Sequence, residues 1–328
     1  MGTGNGPRDE RGAQTMGDTQ AGSTSPVRAA DAAAPVFSRC VVAGASGGVG
    51  RMFTGLLLRS GVEVTRVDLA ARREGEPGVR DVADDIRAPG PATARAVADA
   101  DLVLLAVPEQ AALDAVAPLA ALMRPGALLA DTLSVKSRMA RRLRTTAPAL
   151  QAVGLNPMFA PSLPLPGRPV AAVTVTGGPA ARAFLGLVAG WGGRVVELDP
   201  GEHDTLTAVQ QAATHAAVLS FGLALAELRP GMTALRASAP PPHRTLLMLL
   251  ARIASGSPEV YWDVQAGNPH ADAARRALGR GLERIGRAVA DGDEDAFEDL
   301  VEEVRGALGD HHRDELARAC ARLFADLA

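Results

Sequence analysis

Residues 41–50 read VVAGASGGVG, an apolar run that breaks into a glycine-rich turn. A segment with helical character, residues 51–60, follows directly. A buried strand, a turn without side chains and a helix N-terminus together form a cradle for a diphosphate, because backbone N–H groups and the helix dipole face the anion. The usual dinucleotide fingerprint is G-x-G-x-x-G. Here Ala45 stands at its first glycine and Gly44 precedes it, so the spacing is G-x-x-G-x-x-G.

This loop predicts a bound dinucleotide, and a tight strand–helix turn without a ligand is the alternative. The predicted contacts come from the loop and from the ends of two following strands. They are Gly44, Ser46, Gly47, Gly48, Val49, Gly50, Asp68, Val107 and Pro108.

Length and composition indicate a protein of two domains with sizeable apolar cores. The chain has 328 residues, 47% of them hydrophobic, and a net charge of −3, which gives no basic surface for nucleic acid. Its two cysteines, Cys40 and Cys320, make neither a disulfide framework nor a zinc site. We therefore expect no metal. Because the sequence has neither a membrane-length apolar run nor a signal peptide, we expect a cytoplasmic protein that binds no membrane.

The pattern of apolar residues divides the chain into three parts. Residues 1–36 contain almost no large apolar side chain and predict a disordered tail. Residues 37–199 alternate between strands and helices, which indicates a parallel α/β domain of Rossmann type. Residues 200–328 contain helical patterns only. The predicted strands are residues 38–43, 63–69, 101–107, 127–133, 152–155, 170–176 and 194–198.

Asp68 is the residue from which we predict the cofactor. It lies near the end of the second strand, 18 residues after Gly50, where an acid binds the adenosine ribose of NAD. A solvated acid at a strand end is the alternative. Arg72 and Arg73 follow closely and would instead favour the 2′-phosphate of NADP. We choose NAD.

Polar residues also follow a helical spacing after the last strand. His203, Thr207, Gln211 and His215 recur every four residues, within a pattern that predicts a long helix over residues 203–228. A solvated helix face is the alternative for each of them. However, residues 205–226 contain no Lys, Arg, Asp or Glu, so these polar residues favour the wall of a cleft.

Arg252 is the single charge in the apolar stretch TLLMLLARIA, residues 245–254. An all-round apolar helix predicts a buried helix, and a buried guanidinium needs an anion. That anion is either a protein carboxylate in a structural ion pair or a carboxylate of the substrate, which the planar guanidinium suits well.

Several motifs together resemble those of the prephenate dehydrogenase family, over residues 40–309. They are the glycine loop, DTLSVK at 131–136, GLNPMF at 154–159, EHD at 202–204 with His215, and Arg252. The resemblance implies oxidative decarboxylation of a cyclohexadienyl dicarboxylate with a nicotinamide cofactor. It also implies a Rossmann domain followed by an all-α helical domain that forms a homodimer, with the active site between the two domains.

The resemblance assigns roles to individual residues. Ser134 matches the family serine beside the nicotinamide and the C4 substituent, and Arg252 matches the arginine that holds the substrate's side-chain carboxylate. His215 and Lys136 match polar positions that line the cleft. We therefore expect catalytic roles for Ser134, Asn156 and His215, and substrate binding by Lys136, Gln211 and Arg252.

Asn156 departs from the family pattern, which reads His-Pro-Met where this chain reads Asn-Pro-Met. The family histidine accepts a hydrogen bond from the C4 hydroxyl as hydride leaves, and general-base help is worth roughly 10²–10⁴-fold. An amide does not titrate near neutral pH. A neutral C4 amine needs less help, since its lone pair supports hydride loss and the Asn156 carbonyl can accept an N–H bond. The sequence therefore predicts 4-amino-4-deoxyprephenate as substrate and 4-aminophenylpyruvate as product, as in antibiotic-type biosynthesis.

Two other functions remain open at this point. One is a prephenate or arogenate dehydrogenase that tolerates asparagine at position 156. The other is a non-catalytic NAD-binding sensor, against which the presence of Ser134, Lys136, His215 and Arg252 argues.

Overall fold

An eight-stranded sheet forms the centre of the first half of the chain in the computed structural model, which describes residues 1–2, 37–70 and 79–327. The strands are β1 (Arg39–Ala43), β2 (Glu63–Asp68), β3 (Val79–Ala83), β4 (Leu102–Leu105), β5 (Leu128–Asp131), β6 (Gln151–Pro157), β7 (Pro169–Thr176) and β8 (Arg194–Glu197). They lie in the order β3-β2-β1-β4-β5-β6-β7-β8. Neighbours from β3 to β6 are parallel, β7 is antiparallel to β6, and β8 is parallel to β7.

Helices cover both faces of this sheet, which confirms the predicted α/β class. They are α1 (Gly48–Arg59), α2 (Pro91–Asp99), α3 (Glu109–Leu122), α4 (Ser137–Thr146) and α5 (Pro179–Gly190). The inner strands are buried on both faces because the helices leave neither face in water, so every residue of β4 and β5 is buried. Two separate apolar cores result, one on each face of the sheet.

The second half of the described chain is helical, as predicted. Its helices are α6 (Pro200–Thr207), α7 (Thr214–Leu228), α8 (Met232–Ala237), α9 (Pro241–Ala254), α10 (Pro258–Trp262), α11 (Ala271–Asp291), α12 (Glu294–Leu308) and α13 (Asp310–Ala325). The predicted boundary after Asp199 falls between β8 and α6. The predicted helix over residues 203–228 begins earlier, at Pro200, and a π-helical segment, Ala208–Ala213, lies between α6 and α7.

Two predictions fall on residues outside the described part of the chain. The predicted disordered tail covers residues 1–36, of which the structure describes only Met1 and Gly2. Arg72 and Arg73, the alternative ligands for a 2′-phosphate, also lie outside the described residues. Among the described residues, no helix is both long and apolar enough to cross a bilayer.

Helix α9 corrects the prediction of a buried helix. Leu246, Met248 and Leu249 are 38%, 47% and 39% exposed in the single chain, and Arg252 is exposed too. Helix α7 packs on one side of α9, while Leu246, Met248 and Leu249 stay exposed. The sequence pattern indicated burial of the whole helix, whereas the single chain leaves part of it exposed.

Candidate active site

The glycine loop after β1 is a turn that two of its glycines make possible. Gly44 has φ = 77°, and a Cβ there would overlap the carbonyl of Ala106 after β4. A Cβ at Gly50 would overlap the carbonyl of Gly44 in the same way. The turn closes with a hydrogen bond of 3.0 Å from the Gly47 N–H to the Gly44 carbonyl. Glycine at these two positions therefore lets the loop backbone pack closely on itself and on the end of β4.

The N-terminus of α1 is the anion-binding part of this loop. Gly47 is the N-cap residue, and no side chain caps the helix. The N–H groups of Gly48, Val49 and Gly50 in the first turn have no partner within the helix, and the helix dipole adds positive potential there. Gly48 and Val49 also line the large cavity described below. This arrangement fits a diphosphate between the loop and the cavity.

Asp68 lies at the end of β2, next to the loop. One carboxylate oxygen accepts a hydrogen bond of 2.8 Å from the Ser46 N–H, and the other accepts one of 2.9 Å from the Leu69 N–H. The carboxylate is thus fixed beside the glycine loop and is not a freely solvated acid. Its position fits recognition of a ribose diol by the remaining lone pairs.

Val107 and Pro108 follow β4 on the same side of the sheet. The Val107 side chain lies 2.9 Å from where a Cβ of Gly44 would be, and Pro108 is the N-cap residue of α3. The structure therefore brings the end of β4 against the glycine loop, as the sequence predicts for two neighbouring parallel strands.

A cavity of about 920 Å³ lies between the carboxyl edge of the sheet and helices α6, α7 and α9. Five of the six residues predicted for catalysis and substrate binding line it. They are Ser134, Asn156, Gln211, His215 and Arg252. The cavity also contacts the glycine loop, so a cofactor and a substrate can meet inside it.

The polar stripe forms one wall of this cavity. His203, Thr207, Gln211 and His215 all line it, which confirms the cleft wall over the solvated face. On an ideal α-helix, residues four apart drift around the axis by about 40° per step. The π-helical segment between α6 and α7 has wider turns, so it keeps the later members of the stripe on the cavity side.

Asn156 is a buried residue in β6, only 3% exposed, whose amide ends in the cavity wall. Its Nδ2 lies 3.2 Å from Nε2 of His203, and Nδ1 of His203 lies 2.9 Å from the Asp204 carboxylate. No donor in the described part of the chain hydrogen-bonds the Asn156 Oδ1. The amide oxygen is therefore available as an acceptor. Sequence reasoning found Asn156 and placed His203 in the cleft wall, but it did not predict that His203 and Asp204 would contact Asn156 in series.

The pKa shifts of His203 and Asp204 favour a neutral imidazole beside an ionised carboxylate. Burial lowers the pKa of His203, and the nearby ammonium of Lys136 lowers it further, although the bond to Asp204 opposes both. Burial disfavours the ionised form of Asp204. The hydrogen bonds from His203, Ser137 and the Lys136 N–H outweigh that effect and lower the pKa of Asp204.

Lys136 corrects the prediction that it binds substrate. Its side chain is 1% exposed and does not line the cavity. Its ammonium donates to the Asp131 carboxylate at 2.6 Å and to the Leu155 carbonyl at 2.7 Å. Burial lowers the pKa of Lys136, while Asp131 opposes that shift. The family resemblance implied a cleft position for Lys136, but only Ser134 of these two residues lines the cavity.

Gly154 in β6 leaves the space that the Lys136 side chain occupies. A Cβ at this position would lie 2.9 Å from Cδ of Lys136 and 3.0 Å from the Asp131 carboxylate. The glycine leaves room for the lysine to cross β6 and reach the ends of two strands. Lys136 thus fixes the backbone at Leu155, directly before Asn156, without lining the cavity itself.

Ser134 and Arg252 approach the cavity from opposite sides. The Ser134 hydroxyl forms no hydrogen bond with another described residue. No carboxylate in the described ranges forms an ion pair with Arg252, so the structural ion pair considered as an alternative is absent there. A free guanidinium in a cavity wall is suited to a carboxylate ligand.

His215 and Gln211 carry unpaired polar atoms near Arg252. Burial lowers the pKa of His215, and the positive charge of Arg252 lowers it further. Its Nδ1 has no hydrogen-bond partner, and its ring stands edge-on to Tyr261 with 5.0 Å between centroids. The Gln211 Oε1 is also unpaired. Tyr261 in α10 lines the cavity as well, and no pattern in the sequence indicated this.

Comparison with known families matches both halves of the chain. Residues 57–164 match the family model "Prephenate dehydrogenase, nucleotide-binding domain", and residues 199–304 match "Prephenate dehydrogenase, dimerization domain".

Individual relatives agree with this match. The chain is 64% identical to a 4-amino-4-deoxyprephenate dehydrogenase of Streptomyces pristinaespiralis, over 89% of this chain and 98% of the relative. It is 25% identical to a probable arogenate/prephenate dehydrogenase of Methanocaldococcus jannaschii, over 82% of this chain and 60% of that relative.

A solved structure shows the same fold. It is the prephenate dehydrogenase of A. aeolicus in complex with hydroxyphenyl propionate and NAD+, which aligns with a TM-score of 0.65 and 18% identity. The alignment covers 85% of this chain and 98% of that one.

Proposed function

Because the chain belongs to the prephenate dehydrogenase family, we propose that it is an NAD-dependent dehydrogenase that decarboxylates 4-amino-4-deoxyprephenate oxidatively to 4-aminophenylpyruvate. The 64% identity to a 4-amino-4-deoxyprephenate dehydrogenase supports this substrate, because the similarity covers nearly the whole of both chains. The observation that carries the proposal is Asn156, whose free carbonyl oxygen faces a cavity in which the family pattern places a histidine.

The reaction balances without any proton leaving the substrate. The C4 hydrogen leaves with two electrons as hydride, which the nicotinamide takes up when NAD is bound. The ring carboxylate leaves as carbon dioxide, and the electron pair of its bond completes the aromatic ring. During hydride loss positive charge develops on the C4 nitrogen, whose lone pair supports the step. A hydrogen bond from its N–H to Asn156 Oδ1 stabilises that charge without a titrating base.

The cofactor position follows from the glycine loop and Asp68. The N–H groups at the start of α1 suit the diphosphate, and Asp68, held by Ser46 and Leu69, suits the adenosine ribose. Gly48 and Val49 connect this site with the cavity, so the nicotinamide end would lie near Ser134 and Asn156.

The substrate's side-chain carboxylate would bind Arg252. Its guanidinium has no carboxylate partner among the described residues and lies on the far wall of the cavity. The side chains of His215 and Gln211 line the same cavity and offer further hydrogen bonds to the pyruvyl group. Because burial and Arg252 keep His215 neutral, it can act as donor or acceptor there.

We further propose that two copies assemble through the helical domain. Helix α11 carries a stripe of exposed apolar side chains at helical spacing, Leu278, Leu282, Ile285 and Val289, and α9 carries another. Contiguous apolar surface of this kind marks an interaction site, and the match to a dimerization domain supports a second copy as the partner. The cytoplasmic location stays a prediction.

Identification of the product tests the proposed function. We expect the protein, incubated with NAD and 4-amino-4-deoxyprephenate, to form equal amounts of reduced cofactor, carbon dioxide and 4-aminophenylpyruvate, as followed by absorbance and mass spectrometry. Efficient turnover of prephenate or arogenate alone would reassign the substrate. Binding of NAD without turnover of any of the three would favour the sensor.

A further inference from the structure

Asp204 in α6 links the helical half of the protein to the start of α4 in the first half. Its two oxygens accept hydrogen bonds from the backbone N–H groups of Lys136 at 2.8 Å and Ser137 at 2.9 Å, at the start of α4. The same carboxylate lies 2.9 Å from Nδ1 of His203 and is fully buried. The positive end of the α4 dipole and these bonds keep the group ionised. An ionised carboxylate accepts hydrogen bonds only, so Nδ1 of His203 has to carry a proton.

The imidazole of His203 is therefore held in one tautomer. Burial and the neighbouring Lys136 ammonium lower its pKa against the effect of Asp204, so the ring is neutral near pH 7. A neutral ring with a proton on Nδ1 has only a lone pair on Nε2. That atom lies 3.2 Å from the side-chain nitrogen of Asn156 and can only accept from it.

The orientation of the Asn156 amide follows from this lone pair. If the amide turned over, its Oδ1 would face Nε2 with no hydrogen between them, and a buried hydrogen bond would be lost. The amide N–H therefore points to His203, and Oδ1 points to the cavity. An asparagine alone presents either a donor or an acceptor, whereas this one presents an acceptor.

We propose that His203, fixed by Asp204, is a positioning residue that orients Asn156 so that its carbonyl oxygen accepts the N–H of the substrate's C4 amine. This inference rests on the proposed function, since it explains how an amide replaces a titrating base. Were the amide reversed, its N–H would bond the amine's lone pair and withdraw the electrons that hydride loss requires.

The variant His203→Asn tests this role with little change in the core. Its side-chain nitrogen can still donate to Asp204, but the shorter side chain then places no acceptor at the position of Nε2, which faces Asn156. We expect kcat for 4-amino-4-deoxyprephenate to fall about 10- to 100-fold, because a misdirected catalytic group is that costly. KM and the Kd of NAD should change by less than about threefold, since Arg252 and the glycine loop are untouched.

A double-mutant cycle distinguishes positioning from a general structural effect. In the background of Asn156→Ala, the change His203→Asn should lower kcat by less than about twofold, because nothing remains to be oriented. An equal loss in both backgrounds would overturn the proposal, as would unchanged kcat in the single variant.

A measurement on the unmodified protein covers the case in which the variants do not fold. Nitrogen-15 NMR should show the His203 ring neutral, with the proton on Nδ1 and none on Nε2. A proton on Nε2 would overturn the proposal. If the unmodified protein has no activity on the amino substrate, the proposed function fails, while the NMR result still decides the orientation of Asn156.

Discussion

Asn156 is where the substrate's C4 group meets the protein, so one atom of one residue decides which chemistry the site supports. Its Oδ1 is a fixed acceptor that does not titrate, which suits an amine whose own lone pair drives hydride loss. Imidazole, with a pKa near the working pH, would instead polarise a hydroxyl. Exchange of these two side chains should therefore affect the two substrates in opposite directions.

We expect Asn156→His to raise kcat/KM for prephenate by at least tenfold and to lower it for 4-amino-4-deoxyprephenate. Imidazole supplies general-base help worth roughly 10²–10⁴-fold, of which an unadapted site realises a part. A protonated ring would oppose positive charge on the amine. Steady-state kinetics on both substrates measures the effect, with Asn156→Gln as control. A folded His variant with no gain on prephenate would contradict the role of this position.

Arg252 is expected to act on binding. We predict that Arg252→Ala raises KM with little change in kcat, by an amount near 1.5–3 kcal/mol, the usual contribution of a hydrogen bond to a charged group. Arg252→Lys should recover part of the loss, because it keeps the charge without the planar pair of donors. No described carboxylate depends on this guanidinium, so the melting temperature should stay unchanged. Loss of folding without a change in KM would show a structural residue.

Asp68 should determine the choice of cofactor. An ionised acid beside the adenosine ribose repels a 2′-phosphate, so kcat/KM should be higher with NAD than with NADP. Asp68→Asn should reduce this preference by weakening NAD and tolerating NADP, while the Ser46 N–H keeps an acceptor. Comparison of both cofactors for both proteins measures it. A natural preference for NADP would be incompatible with this role and would point to residues beyond the described chain.

At the scale of elements, the ends of β5 and β6 are held together by one buried ion pair. The Lys136 ammonium bonds both the Asp131 carboxylate and the Leu155 carbonyl, one residue before Asn156. Removing one partner of a buried pair leaves an uncompensated charge, at a cost of about 3–5 kcal/mol. The ion pair that positions the backbone before Asn156 therefore also contributes to the stability of the fold.

We predict that Lys136→Met lowers the free energy of unfolding by about 3–5 kcal/mol, measured by chemical denaturation. The double variant with Asp131→Leu should recover much of this loss, because no charge is then left unpaired. KM of the folded fraction should change little. A stable Lys136→Met protein with a strongly raised KM would restore the substrate-binding role predicted from the sequence.

Sequence patterns predicted the elements that the neighbouring parts of the same chain bury. Strands such as β4 are apolar on both faces because helices cover both faces, and such runs are visible in any sequence. Strand β3 was missed because Val79–Ala83, at the sheet edge, is half polar and only partly buried. Lys136 was misplaced because spacing along a loop does not fix the direction of a side chain. His203 and Asp204 gained their role only when folding brought them to Asn156, 47 residues away.

At the scale of the whole molecule, α9 and α11 both expose apolar faces in the single chain. The sequence of α9 predicted burial, and the single chain leaves much of it exposed. Both observations agree if a second copy covers these faces. The interface would then lie close to the cavity, because Leu249 and Arg252 of α9 also line it.

We predict a solution mass of two chains of 33.7 kDa, measured by sedimentation. The double substitution Leu282→Glu and Ile285→Glu on α11 should shift it to one chain, since charges would replace apolar contacts. As a matched control, Leu69→Glu changes an equally exposed leucine in the first half and should leave the mass unchanged. A monomeric unmodified protein would refute the proposed assembly.

The most direct measurement compares kcat/KM for 4-amino-4-deoxyprephenate and prephenate on the unmodified protein, with saturating NAD and the same preparation. We predict high activity on the amino substrate and little on prephenate, because Asn156 offers a fixed acceptor and no base. Equal values for the two substrates would contradict the claim that Asn156 sets specificity, and a preference for prephenate would contradict the proposed function itself.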